Sequence, residues 1–219
     1  MGTITRTFAN NITTSGVFKP TAFNNASFDN VTAVPGGALP AGGNMVLLST
    51  QTASASASIS FTTGIDSTYK EYMFIFNNIH PSTQAEFKFN LSTDGGSSYN
   101  VAKTTTYIRT QHDEADTTTE LSYDTGRDAA QSTSALSITL GIGSESDSNF
   151  GGYFYLFNPS STTYVKHFII NLSNTHVNTY ANQNLIAGYG NTTSAINAVQ
   201  FTMSSGNIDA GTIQMFGIL

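Results

Sequence analysis

The sequence predicts an all-β protein, an antiparallel two-sheet sandwich of jelly-roll-like form, preceded by an extended N-terminal arm. Three observations carry that expectation. The last third of the chain, from Leu156-Phe-Asn-Pro through Phe168-Ile-Ile170, Asn197-Ala-Val-Gln-Phe-Thr-Met203 and Gly211-Thr-Ile-Gln-Met-Phe-Gly-Ile218, is one strand candidate after another. Only 10% of the 219 residues are charged, none is Cys or Trp, and much of the remainder is Thr, Ser, Asn and Gly, which suit strands and turns rather than helices. No window carries the 3.6-residue apolar period of an amphipathic helix.

The chain divides at Pro35-Gly-Gly-Ala-Leu-Pro-Ala-Gly-Gly-Asn44, which reads as a flexible hinge between an anchoring arm, residues 1–44, and a sandwich domain, residues 45–219. In the arm, Phe18, Phe23 and Phe28 recur every five residues, with Phe8 in the same register and Thr13 filling the gap. That period fits neither a helix nor a flat strand, so the rings read as aromatic pegs on an extended segment that must seat them on a partner or on its own domain. A segment without fixed structure in the free protein and a short pentapeptide-type coil are the other readings.

After the hinge the predicted strands run, in order, over Met45 to Thr50, Ser56 to Thr62, Glu71 to Ile79, Glu86 to Ser92, Val101 to Arg109, Ser134 to Ile142, Gly152 to Asn158, Tyr164 to Leu172, Leu185 to Tyr189, Ala198 to Met203 and Thr212 to Ile218. Every second residue is apolar in Ile59-Ser-Phe61, Phe87-Lys-Phe89-Asn-Leu91 and Ile138-Thr-Leu140-Gly-Ile142, as a half-buried strand requires. Tyr153-Phe-Tyr-Leu-Phe157 and Phe168-Ile-Ile170 are apolar on both faces, which predicts strands covered twice, by the core and by the arm or another subunit. No self-similar blade repeat favours a propeller.

Charge and cysteine usage bound the function. A net charge of −6 with eight Lys and Arg cannot neutralise many phosphates or hold an anionic membrane, so neither nucleic acid nor membrane is an expected partner. Without cysteine there is no thiolate zinc site and no thiol catalysis. Residues 1–20 contain Arg6 and Lys19 but no continuous apolar run, and the expectation is a soluble protein made in the cytosol.

Five features could carry chemistry. Ser92-Thr-Asp94-Gly-Gly96-Ser-Ser-Tyr99 matches the Asp-box turn, in which the Asp caps the backbone amides of its own hairpin, a Gly takes a positive φ and the aromatic packs beneath. This is a folding device built from Ser92, Asp94, Gly96 and Tyr99. The densest charge, His112, Asp113, Glu114, Asp116, Glu120, Asp124, Arg127 and Asp128, reads as a long solvated loop at 112–128 whose carboxylates could also hold calcium or serve a glycosidase. His80, read in a turn before Pro81, and His167 and His176 lack the spacing of a metal site and read as structural. Tyr99, Tyr107, Tyr180 and Tyr189 are candidate exposed aromatics for stacking on sugars. Asn-x-Ser/Thr triplets at Asn11, Asn25, Asn30, Asn90, Asn171 and Asn191 are expected by chance in so Asn- and Thr-rich a chain. No catalytic residue, metal ligand or cofactor site is predicted.

The Ser92–Tyr99 segment, Ser160-Ser-Thr-Thr-Tyr-Val-Lys-His-Phe168, Ala187-Gly-Tyr-Gly-Asn-Thr-Thr-Ser-Ala-Ile196 and Phe201-Thr-Met-Ser-Ser-Gly-Asn-Ile-Asp-Ala-Gly-Thr-Ile213 resemble a family of virion structural proteins of tailed phages, notably those of marine bacteria. The opening Thr5-Arg-Thr-Phe-Ala-Asn-Asn-Ile-Thr-Thr-Ser-Gly16 resembles the start of phage fibre and capsid-accessory proteins. The resemblance implies a non-enzymatic jelly-roll domain displayed on the virion, assembled in the host cytoplasm as a homo-oligomer, with a trimer the first expectation. A capsid decoration or head-fibre subunit is the leading role; a tail or fibre protein binding a host glycan or other receptor is the alternative.

Overall fold

A computed structural model describes residues 45–219, and all of the regular structure among them is strand. The arm with Phe8, Phe18, Phe23 and Phe28, and the hinge, lie outside the described residues.

The strands are β1 (Met45–Thr52), β2 (Ser58–Phe61), β3 (Glu71–Pro81), β4 (Phe87–Ser92), β5 (Lys103–Asp113), β6 (Thr119–Tyr123), β7 (Ala129–Ser132), β8 (Leu136–Ser137), β9 (Phe150–Phe157), β10 (Lys166–His176), β11 (Tyr180–Gly190), β12 (Ala198–Met203) and β13 (Ile208–Ile218). They form two antiparallel sheets. The larger has nine strands in the order β1-β13-β3-β9-β10-β11-β5-β6, with β7 sharing the edge of β5; the smaller has four, β2-β12-β4-β8. The chain passes repeatedly between the sheets, so that β2, β4, β8 and β12 alternate with segments of the large sheet. That connectivity makes a sandwich rather than a meander.

Period-two sequence explains which faces meet. Tyr72, Phe74 and Phe76 of β3 are buried against the small sheet, and Phe87, Phe89 and Leu91 of β4 face back at them, all at 0–1% exposure. Phe201 of β12 sits among the rings of Phe76 at 5.2 Å, Phe87 at 5.5 Å and Phe74 at 5.6 Å. This aromatic layer is the centre of the core, and edge-to-face pairs dominate it.

Several predicted boundaries change. β10 and β11 each run through a polar half, Ser173–His176 and Tyr180–Asn184, that an apolar period does not reveal. Of Ser134 to Ile142 only Leu136 and Ser137 form a ladder, because the segment leaves regular pairing: Ile138 N–H donates to the Phe87 carbonyl while Phe87 N–H turns to the Thr139 hydroxyl. Its alternation still holds, with Leu136, Ile138, Leu140 and Ile142 all buried. His80 belongs to β3, not to a turn, since Pro81 closes the strand.

Candidate functional site

The Ser92–Tyr99 turn is stitched by side chains. Ser92 Oγ donates to Asp94 Oδ1 at 2.6 Å and accepts from Asp94 N–H and Gly96 N–H at 3.2 and 3.0 Å. Asp94 Oδ1 also accepts from Ser98 N–H at 2.9 Å, and Asn197 Oδ1 takes Gly95 N–H at 2.8 Å. The Ser92 hydroxyl, then the Ser98 amide, hold the Asp94 carboxyl below its ordinary 3.8. Gly96 has φ of +90°, and a Cβ there would stand 2.7 Å from Tyr99 Oη and 2.8 Å from Thr62 Cγ2. The turn is not a hairpin, because β4 and β5 lie in different sheets; it carries the chain from one layer to the other. Asp94→Ala is expected to lower the melting temperature at neutral pH, with Asp94→Asn losing less because an acceptor for Ser98 N–H remains. The folded carboxyl titrates below 3.8, so its contribution is present above that pH and fades below it. Equal midpoints for wild type and Asp94→Ala in neutral buffer would show that the side chain does not hold the turn.

The 112–128 segment is not the long loop predicted. His112 and Asp113 end β5, a tight turn follows, and Thr119–Tyr123 is β6, paired along β5 from Ile108↔Tyr123 to His112↔Thr119. Most of its carboxylates have partners. Asp113 Oδ1 accepts from the amides of Thr117 and Thr118 at 2.8 and 2.9 Å and closes the turn. Glu120 pairs with Arg109 at 3.1 Å, and Asp116 meets His112 Nε2 at 3.2 Å. Arg127 bridges Asp124 at 3.0 Å and Glu86 at 2.6 Å, tying the turn before β7 to the small sheet. Glu86 also accepts from the Ser137 hydroxyl at 2.6 Å. Asp113 thus faces backbone donors, and Glu120, Asp124 and Glu86 face arginines.

Beneath this network lies a polar lattice that sequence reading missed. Tyr107 Oη donates to Asn184 Oδ1 at 2.9 Å, and Asn184 Nδ2 donates to Asn174 Oδ1 at 2.8 Å. In the strand register Asn174 stands opposite Asn182 and Asn182 opposite Gln111, but the buried Asn182 side-chain amide and Asn174 Nδ2 make no hydrogen bond among the described residues. Tyr107 is fully buried, not exposed, and burial raises its pKa; Tyr99, Tyr180 and Tyr189 are half-buried. The signal was period two continuing through Asn182-Gln-Asn184-Leu-Ile186, with amides standing in for the apolar residues.

The histidines stay apart. His80 Nδ1 lies 2.6 Å from the Ser148 carbonyl, His167 pairs with the Tyr189 ring at 5.9 Å, and His176 with the Tyr180 ring at 5.6 Å. Among the described residues no three His, Asp or Glu side chains converge to hold a metal ion. On the outside of the large sheet, Phe157, His167, Ile169, Gly188 and Tyr189 line a shallow groove of about 390 Å³. Comparison of the chain with protein-family models, with curated proteins and with solved structures finds no match.

Proposed function

We propose that this protein is a non-enzymatic structural component of a bacteriophage virion, a capsid decoration or head-fibre subunit held to the particle by its N-terminal arm. The observation that carries the reading is the use made of its charge. In the segment densest in ionisable groups, carboxylates and arginines close turns and pin strands to one another, on a body whose other strands carry few charges. The phage-like segments named above give the direction, and the five-residue recurrence of Phe18, Phe23 and Phe28 supplies the anchor. Seating a Phe ring is worth roughly 1.5–3 kcal/mol, so three rings offset much of the cost of ordering a short arm.

Deleting residues 2–40 tests the anchor. The truncated protein is expected to remain folded and soluble while failing to join the particle; normal incorporation would overturn the arm's role. The alternative, a tail or fibre subunit that binds a host glycan, is favoured by the groove around Gly188, where Tyr189, Phe157 and His167 flank a floor of small residues. Binding on a glycan array that is lost in Tyr189→Ala, with no bond cleaved, would select that reading.

A further inference from the structure

The outer face of the large sheet is the face that the core does not use. Cross-strand register places its side chains in continuous rows. One row runs Leu47, Phe216, Met73, Tyr155, Ile169, Ala187 and Thr106 across seven strands from β1 to β5. The next, on one side, runs Thr50, Gln214, Ile75, Tyr153, Asn171, Leu185, Ile108 and Tyr123. On the other side Met45, Ile218, Glu71 and Phe157 are in register, as are His167, Tyr189 and Thr104.

A sheet face turned to water is normally polar, with charged residues alternating against the apolar set below. Here the three rows carry a single carboxylate, Glu71, and no lysine or arginine. Leu47 is 52% exposed, Ile169 47% and Tyr123 49%. Leu185, Ile108 and Tyr153 are exposed as well. Seven strands at ~4.8 Å spacing and three rows ~7 Å apart make a patch of roughly 600 Å². A largely uncharged patch of that size stands at the upper end of the ~300–600 Å² that monomers leave exposed, where such patches are often functional. It approaches the ~800 Å² per partner of a stable protein–protein interface.

We propose that this face packs against the same face of a second copy of the chain, in a two-fold pair. A neutral, pleated surface is complementary to itself: no charge on one copy meets a like charge on the other across most of the patch, and two such sheets stack ~10 Å apart with interdigitated side chains. A two-fold operation makes the contact closed, so each copy's face is covered without leading to open filaments. The groove around Gly188 then receives a side chain from the facing copy. The reading names a face that the virion reading does not and a two-fold symmetry in place of the trimer that the resemblance implies, and it stands on the sheet alone.

Sedimentation velocity of the full chain tests it. Wild type is expected as a pair at micromolar concentration. Ile169→Glu in the central row places one charge per copy into the contact, two in the pair, and should weaken association by about a hundredfold or more. Leu47→Glu at the β1 end of the same row should act in the same direction. Both side chains point away from the core, so the melting transition of the separated chains should persist. Tyr164→Ser removes an apolar group that is 71% exposed but outside the sheet, and should leave the pair intact. A monomeric wild type, a three-fold assembly, or a pair indifferent to Ile169→Glu would each overturn the proposal. Particle incorporation does not enter the measurement, so its failure and that of the virion reading remain distinct.

Discussion

Phe201→Ala is expected to lower the unfolding free energy by about 4 kcal/mol, within the 3–5 kcal/mol typical of removing a fully buried phenylalanine ring. Phe201 is inaccessible to solvent and stands at the meeting point of both sheets. Its ring stacks on Phe87 with an interplanar angle of 4° and meets Phe61, Phe74, Phe76 and Phe154 edge-on at 5.2–6.3 Å. The surrounding rings belong to β2, β3, β4 and β9, each held in its own hydrogen-bonded ladder. They cannot collapse into the space an alanine leaves, so most of the cavity persists and its lining loses contacts outright. Phe201→Leu keeps much of the volume and should cost clearly less. Urea unfolding of the three proteins, with slopes checked for equality, gives the comparison. A loss below about 1 kcal/mol for the alanine variant would show that the aromatic layer closes over the gap.

The elements read correctly from sequence are those in which one face is apolar and the other is not. β4 and β12 show this plainly: Phe87, Phe89 and Leu91, and Val199, Phe201 and Met203, fall on the buried side. Where polar residues occupy the buried side, the period vanishes from sight although the strand continues. Asn174, Asn182 and Asn184 do this in β10 and β11; Asn184 bonds to Tyr107 and to Asn174, while the Asn182 side-chain amide and Asn174 Nδ2 are buried without a hydrogen-bond partner among the described residues. The charged segment misled for a related reason. Whether Asp124 and Glu120 are solvated depends on Arg109 and Arg127, and the partner of Arg127, Glu86, is 41 residues away along the chain. Apolar residues on both faces of β9 and β10 do signal a doubly covered strand, yet the described residues cover only one side of Ile169 and Tyr153.

Between pH 8 and pH 10 the protein is expected to become more stable, and Lys103 is the main cause. Its side chain lies on the inner side of β5 at 0% exposure, where Nζ donates to Asn90 Oδ1 at 2.6 Å and to the Val101 carbonyl at 2.9 Å. Both acceptors are neutral, so the ammonium is solvated by dipoles but not paired with a carboxylate. Burial therefore pushes its pKa down from 10.5 to about 8. Below pH 8 the group is charged in both states and the folded state bears the full penalty. From 8 to 10.5 the unfolded chain binds the proton more often than the native one, so unfolding becomes harder as pH rises. The whole window corresponds to about 3 kcal/mol. Lys166, also inaccessible and bonded only to the carbonyls of Tyr164 and Thr192, is shifted the same way by burial and adds to the slope. Above pH 10 the buried phenol of Tyr107 acts in reverse, since its raised pKa makes ionisation favour unfolding. Lys103→Met keeps the stem and removes the charge, and Asn90 Oδ1 still accepts from Leu91 N–H at 2.9 Å. Urea midpoints at pH 8 and pH 10 should rise in wild type and rise distinctly less in Lys103→Met; parallel lines for the two proteins would mean that Lys103 keeps an ordinary pKa in the folded state.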